Sequence, residues 1–261
     1  MIIDVHHHIS AKPEDWKKLA DECARLNIKK IICFGNNEAT KKAMDKYPDL
    51  IVGFGLLKLG VDNASMVEEF VKMGFRGIKF IRPAKNYDDR NFYSIYGKME
   101  EHRLLGIFHL GIVSNRNPQA GRYLDTDNNR HRPIYLDTIS RAFPDLVIIG
   151  AHLGNPWYEE ASMSARWDPN LYFDLSGSTL KKKSSEFIGN LLWWKEEGLY
   201  SPHKQHAWEK IVFGSDVSIE LIEDTLNDYL RLFKELNLSD ELRHKVLYGT
   251  MAKLLGIEDK K

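Results

Sequence analysis

The sequence predicts an α/β protein, a single closed (β/α)8 TIM barrel finished by C-terminal closing helices. Three observations predict it. Short runs rich in β-branched and aromatic residues recur along the chain, each followed by a longer stretch of helical periodicity, the alternation that βα units leave in a sequence. The length of 261 residues lies within the range that one barrel of this kind occupies. No glycine-rich GxGxxG follows the first strand, as a doubly wound dinucleotide fold would carry, so the open-sheet alternative is weaker. Residues 1–261 are therefore expected to form one domain.

The strands fall in order at "IIDVH" from Ile2, "KIICFG" from Lys30, "IVGFGLL" from Ile51 and "GIKFI" from Gly77, then "GIFHL" from Gly106, "LVIIGAH" from Leu146, "LYFDLS" from Leu171 and "IVFGSD" from Ile211. Among the helices between them, "PEDWKKLADECARLN" starts with Pro13 in its first turn, where a missing N–H costs nothing. "NASMVEEFVKM" stops on Gly74. Two strand-to-helix connections are long, residues 111 to about 131 and 176 to about 209, and loops on that side border the active site of a barrel. The stretch from Asp240 to Gly256 reads as the closing helices.

Composition narrows the partners. With 43% hydrophobic and 28% charged residues the chain has the makings of a soluble globular core rather than disorder. Lys plus Arg and Asp plus Glu both number 37, so no long-range field favours nucleic acid or an anionic membrane, and a small-molecule substrate fits better. Cys23 and Cys33 form neither a disulfide framework nor a CxxC site. No apolar run approaches the roughly 18 residues of a membrane span and the start lacks secretory features, so a cytoplasmic location is expected.

The opening "MIIDVHHHIS" resembles a purification tag, yet a tag forms a polar leader and here the histidines finish an apolar strand. Strand side chains alternate between faces, so Asp4, His6 and His8 are expected on one face and Val5 and His7 on the other. His109 ends the fifth strand run, His152 the sixth and Asp216 the eighth, all at the barrel end where active sites are built. Imidazole nitrogen and carboxylate oxygen are the usual ligands of a catalytic zinc, and such sets leave a position open for water. His6, His8, His109 and Asp216 supply that set.

With these residues in place, the chain is similar to the amidohydrolase superfamily, and within it to the amidohydrolase-2 branch that includes relatives of aminocarboxymuconate-semialdehyde decarboxylase. The matching stretches are "IDVHHH", "GFRGIKF", "FHLG", "AHLGNPW", "LYFDLSG" and "FGSD", with "YGTMAKLLG" similar to the closing-helix pattern. The resemblance runs through nearly the whole chain in order. It implies one divalent metal, zinc with manganese as the alternative, held by His6, His8, His109 and Asp216, and His152 beside it as a ligand or as a polarising group. Binuclear relatives carry a carboxylated lysine on the fourth strand, where Lys79 lies; pairing of Lys79 with a carboxylate or a substrate anion is the simpler expectation. The segment from His8 to Pro13 is too short for the long first loop of the family's decarboxylases.

Around this set, Asp174 is read either as a site residue or as a loop anchor, and Asp4 as a support for the metal ligands. Lys79, Arg82 and Arg116 are the candidates for binding a substrate carboxylate, with Arg122, Arg130 and Arg132 as further guanidinium groups. Trp157, Tyr158, Trp193 and Trp194 would stack on a substrate ring or, more simply, cover the core and a contact between copies in a homo-oligomer. The leading function is a metal-dependent hydrolase: water activated by the ion attacks the carbonyl of a lactone, ester or amide, and Asp216 shuttles the proton. The alternative is a non-oxidative decarboxylase, a carbon–carbon lyase acting on a cyclic or unsaturated acid. A non-catalytic binding barrel is the third class, and the presence of Asp216 speaks against it.

Overall fold

The structure is a computed structural model that describes residues 1–113, 127–197 and 200–257. Eight parallel strands lie in sequence order: β1 Ile2–His8, β2 Ile28–Phe34, β3 Ile51–Leu57, β4 Gly77–Phe80, β5 Leu105–Phe108, β6 Ile148–Gly150, β7 Leu171–Asp174 and β8 Ile211–Val212. The ring closes between β8 and β1, where the Val5 N–H donates to the Phe213 carbonyl at 2.9 Å and the Asp216 N–H to the His6 carbonyl at 2.7 Å. This is the (β/α)8 barrel that the eight-fold alternation predicts.

The helices follow the strands: α1 Pro13–Arg25, α2 Asn37–Lys46, α3 Ser65–Lys72, α4 Tyr93–Glu101, α5 Ile134–Ala142, α6 Tyr158–Trp167, α7 Thr179–Lys182, α8 Ser185–Leu191 and α9 Ile222–Glu235. Pro13 opens α1, with the acids Glu14 and Asp15 in the first turn and Arg25 in the last, each sign complementing the helix dipole. The apolar stripe of α1, Trp16, Leu19 and Cys23, is buried. Among the described residues no helix is long and apolar enough to cross a membrane.

Two apolar layers result. One lies between strands and helices and holds Leu19, Ile31, Phe80, Phe108, Leu136, Phe173 and Phe233. The other lines the barrel, with Ile3, Val5, Ile32, Phe34, Phe54, Ile107, Ile149 and Val212, and continues into Met251, Ala252 and Leu255 of the closing helix. The closing segment consists of α10 Asp240–His244, a wider turn over Lys245–Gly249 and α11 Thr250–Leu255, ended by Gly256 in the left-handed conformation that suits glycine. The closing helix thus caps the floor beneath the interior layer and leaves the opposite mouth to the site.

The strict alternation expected of β1 breaks. Asp4 pairs with Ile31 and His7 with Cys33, so three steps along β1 match two along β2, a β-bulge. Val5 consequently stays with the barrel-lining residues although His6 and His8 reach the site, and Asp4 lies instead toward Cys23 of α1 and Cys33, whose thiols are pushed up by burial with a smaller push from Asp4. Asp4 does not share the face of His6. Its Oδ1 accepts the N–H groups of His6 and Ser215, both at 3.0 Å, so it supports the strand from behind.

Candidate active site

At the barrel mouth, β1 delivers His6 and His8, and the turn after β8 delivers Asp216. Asp216 Oδ1 lies 3.4 Å from Nε2 of His6 and 3.4 Å from Nε2 of His8, and Asp216 Oδ2 lies 3.7 Å from Nε2 of His152. One ligand atom from each of His6, His8 and Asp216 falls within 4.8 Å of the other two, and the same holds for His6, His152 and Asp174. His109, directly after β5, stands edge-on to His152 with ring centroids 5.0 Å apart. Its Nε2 is buried and has no hydrogen-bond partner among the described residues.

Short strands explain how these groups converge. His152 lies two residues past β6 and Asp216 four residues past β8, both at positive φ, 62° and 49°. The sequence places each at a strand end; the structure places each in a left-handed turn just beyond, with the two side chains 3.7 Å apart. Gly214 permits the close approach of β8, since a Cβ there would meet Asp174 Cβ at 2.9 Å and His6 Cβ at 3.1 Å.

Asp174 sets the chemistry of His6. Its Oδ2 sits 2.8 Å from His6 Nδ1, and a carboxylate can only accept, so His6 carries its proton on Nδ1 and keeps the lone pair of Nε2 for the site. Burial works against charge on Asp174, but the His6 and His152 rings and the hydroxyl of Ser176 outweigh it and hold the carboxyl well below the usual carboxylate range. Asp174 Oδ1 also accepts the N–H of His152 and of Ser176, each at 2.9 Å. Ser176 in turn faces His152 Nδ1 at 2.9 Å. Ser176 was not expected in the site from the sequence, although its place two residues after Asp174 puts it on the same face of a continuing strand.

Lys79 Nζ lies 3.0 Å from His6 Nε2 and 4.7 Å over the Phe34 ring. It therefore meets His6 rather than a carboxylate, and it does not line the open cleft. Burial pulls its pKa down to about 8, against the attraction of Asp216 and Asp174. His6 is pushed down to about 4 by burial and then by Lys79, so at neutral pH its ring is uncharged. Burial likewise opposes ionisation of Asp216, but His6, the hydrogen bond from His8, and then His152 and Lys79 hold it well below the usual range. His109 is pushed well below its ordinary value by burial.

Above these groups opens a cleft of about 500 Å³ lined by His8, His109, His152 and Asp216, by the aliphatic Ile81, Leu110, Ile112 and Val113, and by Arg82, Asn155 and Ser178. Of the arginines singled out by sequence, Arg82 lines it, whereas Arg132 is paired with Glu160, and Arg130 donates to the Pro83 carbonyl at 3.3 Å. Arg116 and Arg122 lie outside the described residues. None of the four aromatics lines the cleft: Trp157 stacks on Arg132, Tyr158 meets Phe187, Trp193 meets Tyr200 and Arg166, and Trp194 is buried.

The family model described as amidohydrolase matches residues 18–257. The chain belongs to the amidohydrolase family. The match begins after β1, so the pair His6 and His8 enters the site on geometry rather than on that match. No curated protein matches the sequence significantly. Solved amidohydrolase-like folds do resemble the structure. An uncharacterized TIM-barrel protein from Bordetella bronchiseptica is 18% identical with a TM-score of 0.73, over 98% of each chain. A 5-carboxyvanillate decarboxylase from Novosphingobium aromaticivorans, with manganese bound, is 12% identical with a TM-score of 0.64, over 98% of this chain and 97% of that one. A dihydroorotase from Saccharomyces cerevisiae is 15% identical with a TM-score of 0.64, over 99% and 85%. At such identities the likeness is one of fold. The amidohydrolase family is generally dependent on divalent metal, and this chain carries a His, His, Asp group at the mouth of its barrel.

Proposed function

We propose that this amidohydrolase is a metal-dependent hydrolase that opens a lactone, ester or amide in a small substrate bearing a carboxylate, with the ion held by His6, His8, His109 and Asp216. The observation that carries the reading is the buried Nε2 of His109, partnerless among the described residues, in a residue that lines the same cleft as His8 and Asp216. A buried polar atom without a partner costs about 1–3 kcal/mol, which a bound cation would offset. The donor set of imidazole nitrogens and one carboxylate suits zinc, and manganese as well.

When bound, a divalent ion supplies Lewis acidity to the substrate carbonyl and lowers the pKa of water toward neutrality. The protein groups do the remainder. Asp174 keeps the proton of His6 on Nδ1, so Nε2 is an unprotonated acceptor, faced at 3.0 Å by Lys79 Nζ until an ion takes that place. Asp216, ionised and shared between the His6, His8 and His152 rings, accepts the proton of the attacking water and returns it to the leaving group. His152, held at Nδ1 by Ser176, directs Nε2 toward the substrate carbonyl. Arg82 takes the carboxylate. Hydrolysis is favoured over decarboxylation because only residues 9–12 link β1 to α1, and the adjacent His8 side chain is 57% exposed, which leaves the mouth open to water.

The test is a screen of lactones, esters, amides and aromatic or muconate-like acids against protein loaded with zinc or manganese. Hydrolysis of at least one carbonyl substrate is expected. Release of carbon dioxide from an acid, with every lactone, ester and amide untouched, would replace the hydrolase reading by the carboxy-lyase one.

A further inference from the structure

Arg82 sits in a conformation that its residue type and its neighbour both resist. Its φ is 52°, in the left-handed region. That region is disfavoured for a residue with a Cβ, and the following Pro83 biases Arg82 toward extended backbone instead. Were the turn after β4 merely in need of a positive φ, glycine or asparagine would meet it with less strain. Arg103 and Lys204 reach the same region, both at 53°, away from the cleft; Arg82 differs in preceding a proline and in lining the cleft, where such strain is tied to function.

The group that stabilises it is His131, fully buried in the turn just before α5. The Arg82 N–H donates to His131 Nε2 at 3.1 Å, which requires that nitrogen to be unprotonated. The ring is wedged edge-on between Tyr87, 5.8 Å away between centroids, and His109, 5.5 Å away. Its backbone is tied to the segment after β5, its carbonyl accepting the Gly111 N–H at 3.1 Å. Next to it, Arg130 donates to the Pro83 carbonyl at 3.3 Å. Two successive residues of this turn therefore grip two successive residues of the β4 turn.

We infer that His131 is a positioning residue: its Nε2 holds the Arg82 backbone in the left-handed conformation that sets this side chain at the cleft, so recognition of a carboxylate depends on a residue that touches no substrate. The inference rests on the reading of Arg82 as the carboxylate-binding group.

The experiment compares zinc-loaded wild type, His131→Leu and His131→Gln, the glutamine returning an acceptor near the place of Nε2, with Arg82→Met as the reference. Crystal structures report φ at Arg82, and calorimetry with benzoate reports carboxylate affinity. In His131→Leu the φ at Arg82 is expected to turn negative, and benzoate affinity to fall at least tenfold, as in Arg82→Met, with zinc content unchanged. Glutamine is expected to restore affinity to within threefold of wild type. A positive φ retained in His131→Leu overturns the inference. A φ that reverses while benzoate affinity stays the same supports the clamp and removes Arg82 from carboxylate binding, so the two failures are distinct. Should the leucine variant not fold, the trans-hydrogen-bond coupling between the Arg82 amide nitrogen and His131 Nε2 in wild-type protein decides, its absence overturning the inference.

Discussion

The two ends of the barrel both bury charge, and they treat it differently. At the floor, Lys210 directly precedes β8 and its Nζ is saturated: it donates to the carbonyls of Asp168 at 2.9 Å and Pro169 at 2.8 Å, and lies 4.4 Å over the Tyr172 ring. At the mouth, Asp216 is shared among three imidazoles at 3.4 to 3.7 Å, and the Nε2 of His109 has no partner among the described residues. A buried charge whose bonds go to two backbone carbonyls and, at 3.4 Å, to the Gln205 side-chain oxygen ties elements together. A cluster at the cleft whose ring nitrogens and carboxylate oxygens converge on one another is arranged for something that binds between them. Variants at the mouth should therefore alter function and leave stability largely intact, and variants at the floor should do the reverse.

The largest effect is expected from Asp216→Asn. Turnover should fall by about a thousandfold or more, since both the proton acceptor and a ligand change. Metal content measured beside the rate separates the two causes, and near-wild-type turnover in this variant would remove Asp216 from the chemistry. Asp174→Asn comes next. Without the carboxylate, His6 loses the bond that keeps its proton on Nδ1, and metal affinity should drop about 10–100-fold by competition with a chelator. Unchanged affinity would show that Asp174 only anchors the loop.

On the floor, Lys210→Met should lower stability by about 1–3 kcal/mol, because it removes the bonds from Nζ to the Asp168 and Pro169 carbonyls, while bound metal and catalytic rate stay as in wild type. Loss of metal in this variant would break the contrast between the two ends. The smallest effect is a pH slope. Burial pulls Lys210 down to about 7 from its ordinary 10.5. Between those values the unfolded chain binds more protons than the folded one, so this residue makes stability rise with pH across that window and contributes no slope below it. Chemical denaturation at several pH values should show this rise in the wild type and its loss in Lys210→Met.

Much of this was legible in the sequence. The eight apolar runs and their order required only local periodicity, and all eight became strands. Strand ends were less legible: β8 spans two residues, Ile211–Val212, although "IVFGSD" reads as six, because beyond Val212 the backbone bonds to that of β1 only at Phe213 and Asp216 and Asp216 takes a left-handed turn. The face of Asp4 departs from strict alternation since a bulge is a pairing event between β1 and β2 and leaves no mark in the hydropathy of β1 alone. His131 carried no local signal, as its role lies in a bond to a backbone amide 49 residues away.

Alternation and residue chemistry act over a few neighbours, so the chain alone reveals the fold class and the kind of donor atoms available. What those donors do depends on contacts between distant segments. The bond that selects the His6 tautomer spans 168 residues, and the contact that sets Lys79 against the same ring spans 73. Such pairings depend on barrel closure, on the exact turn after each strand and on which groups lose water together. No pattern along the chain encodes them, since a side chain's partner, and with it its charge state, is chosen by distance in space.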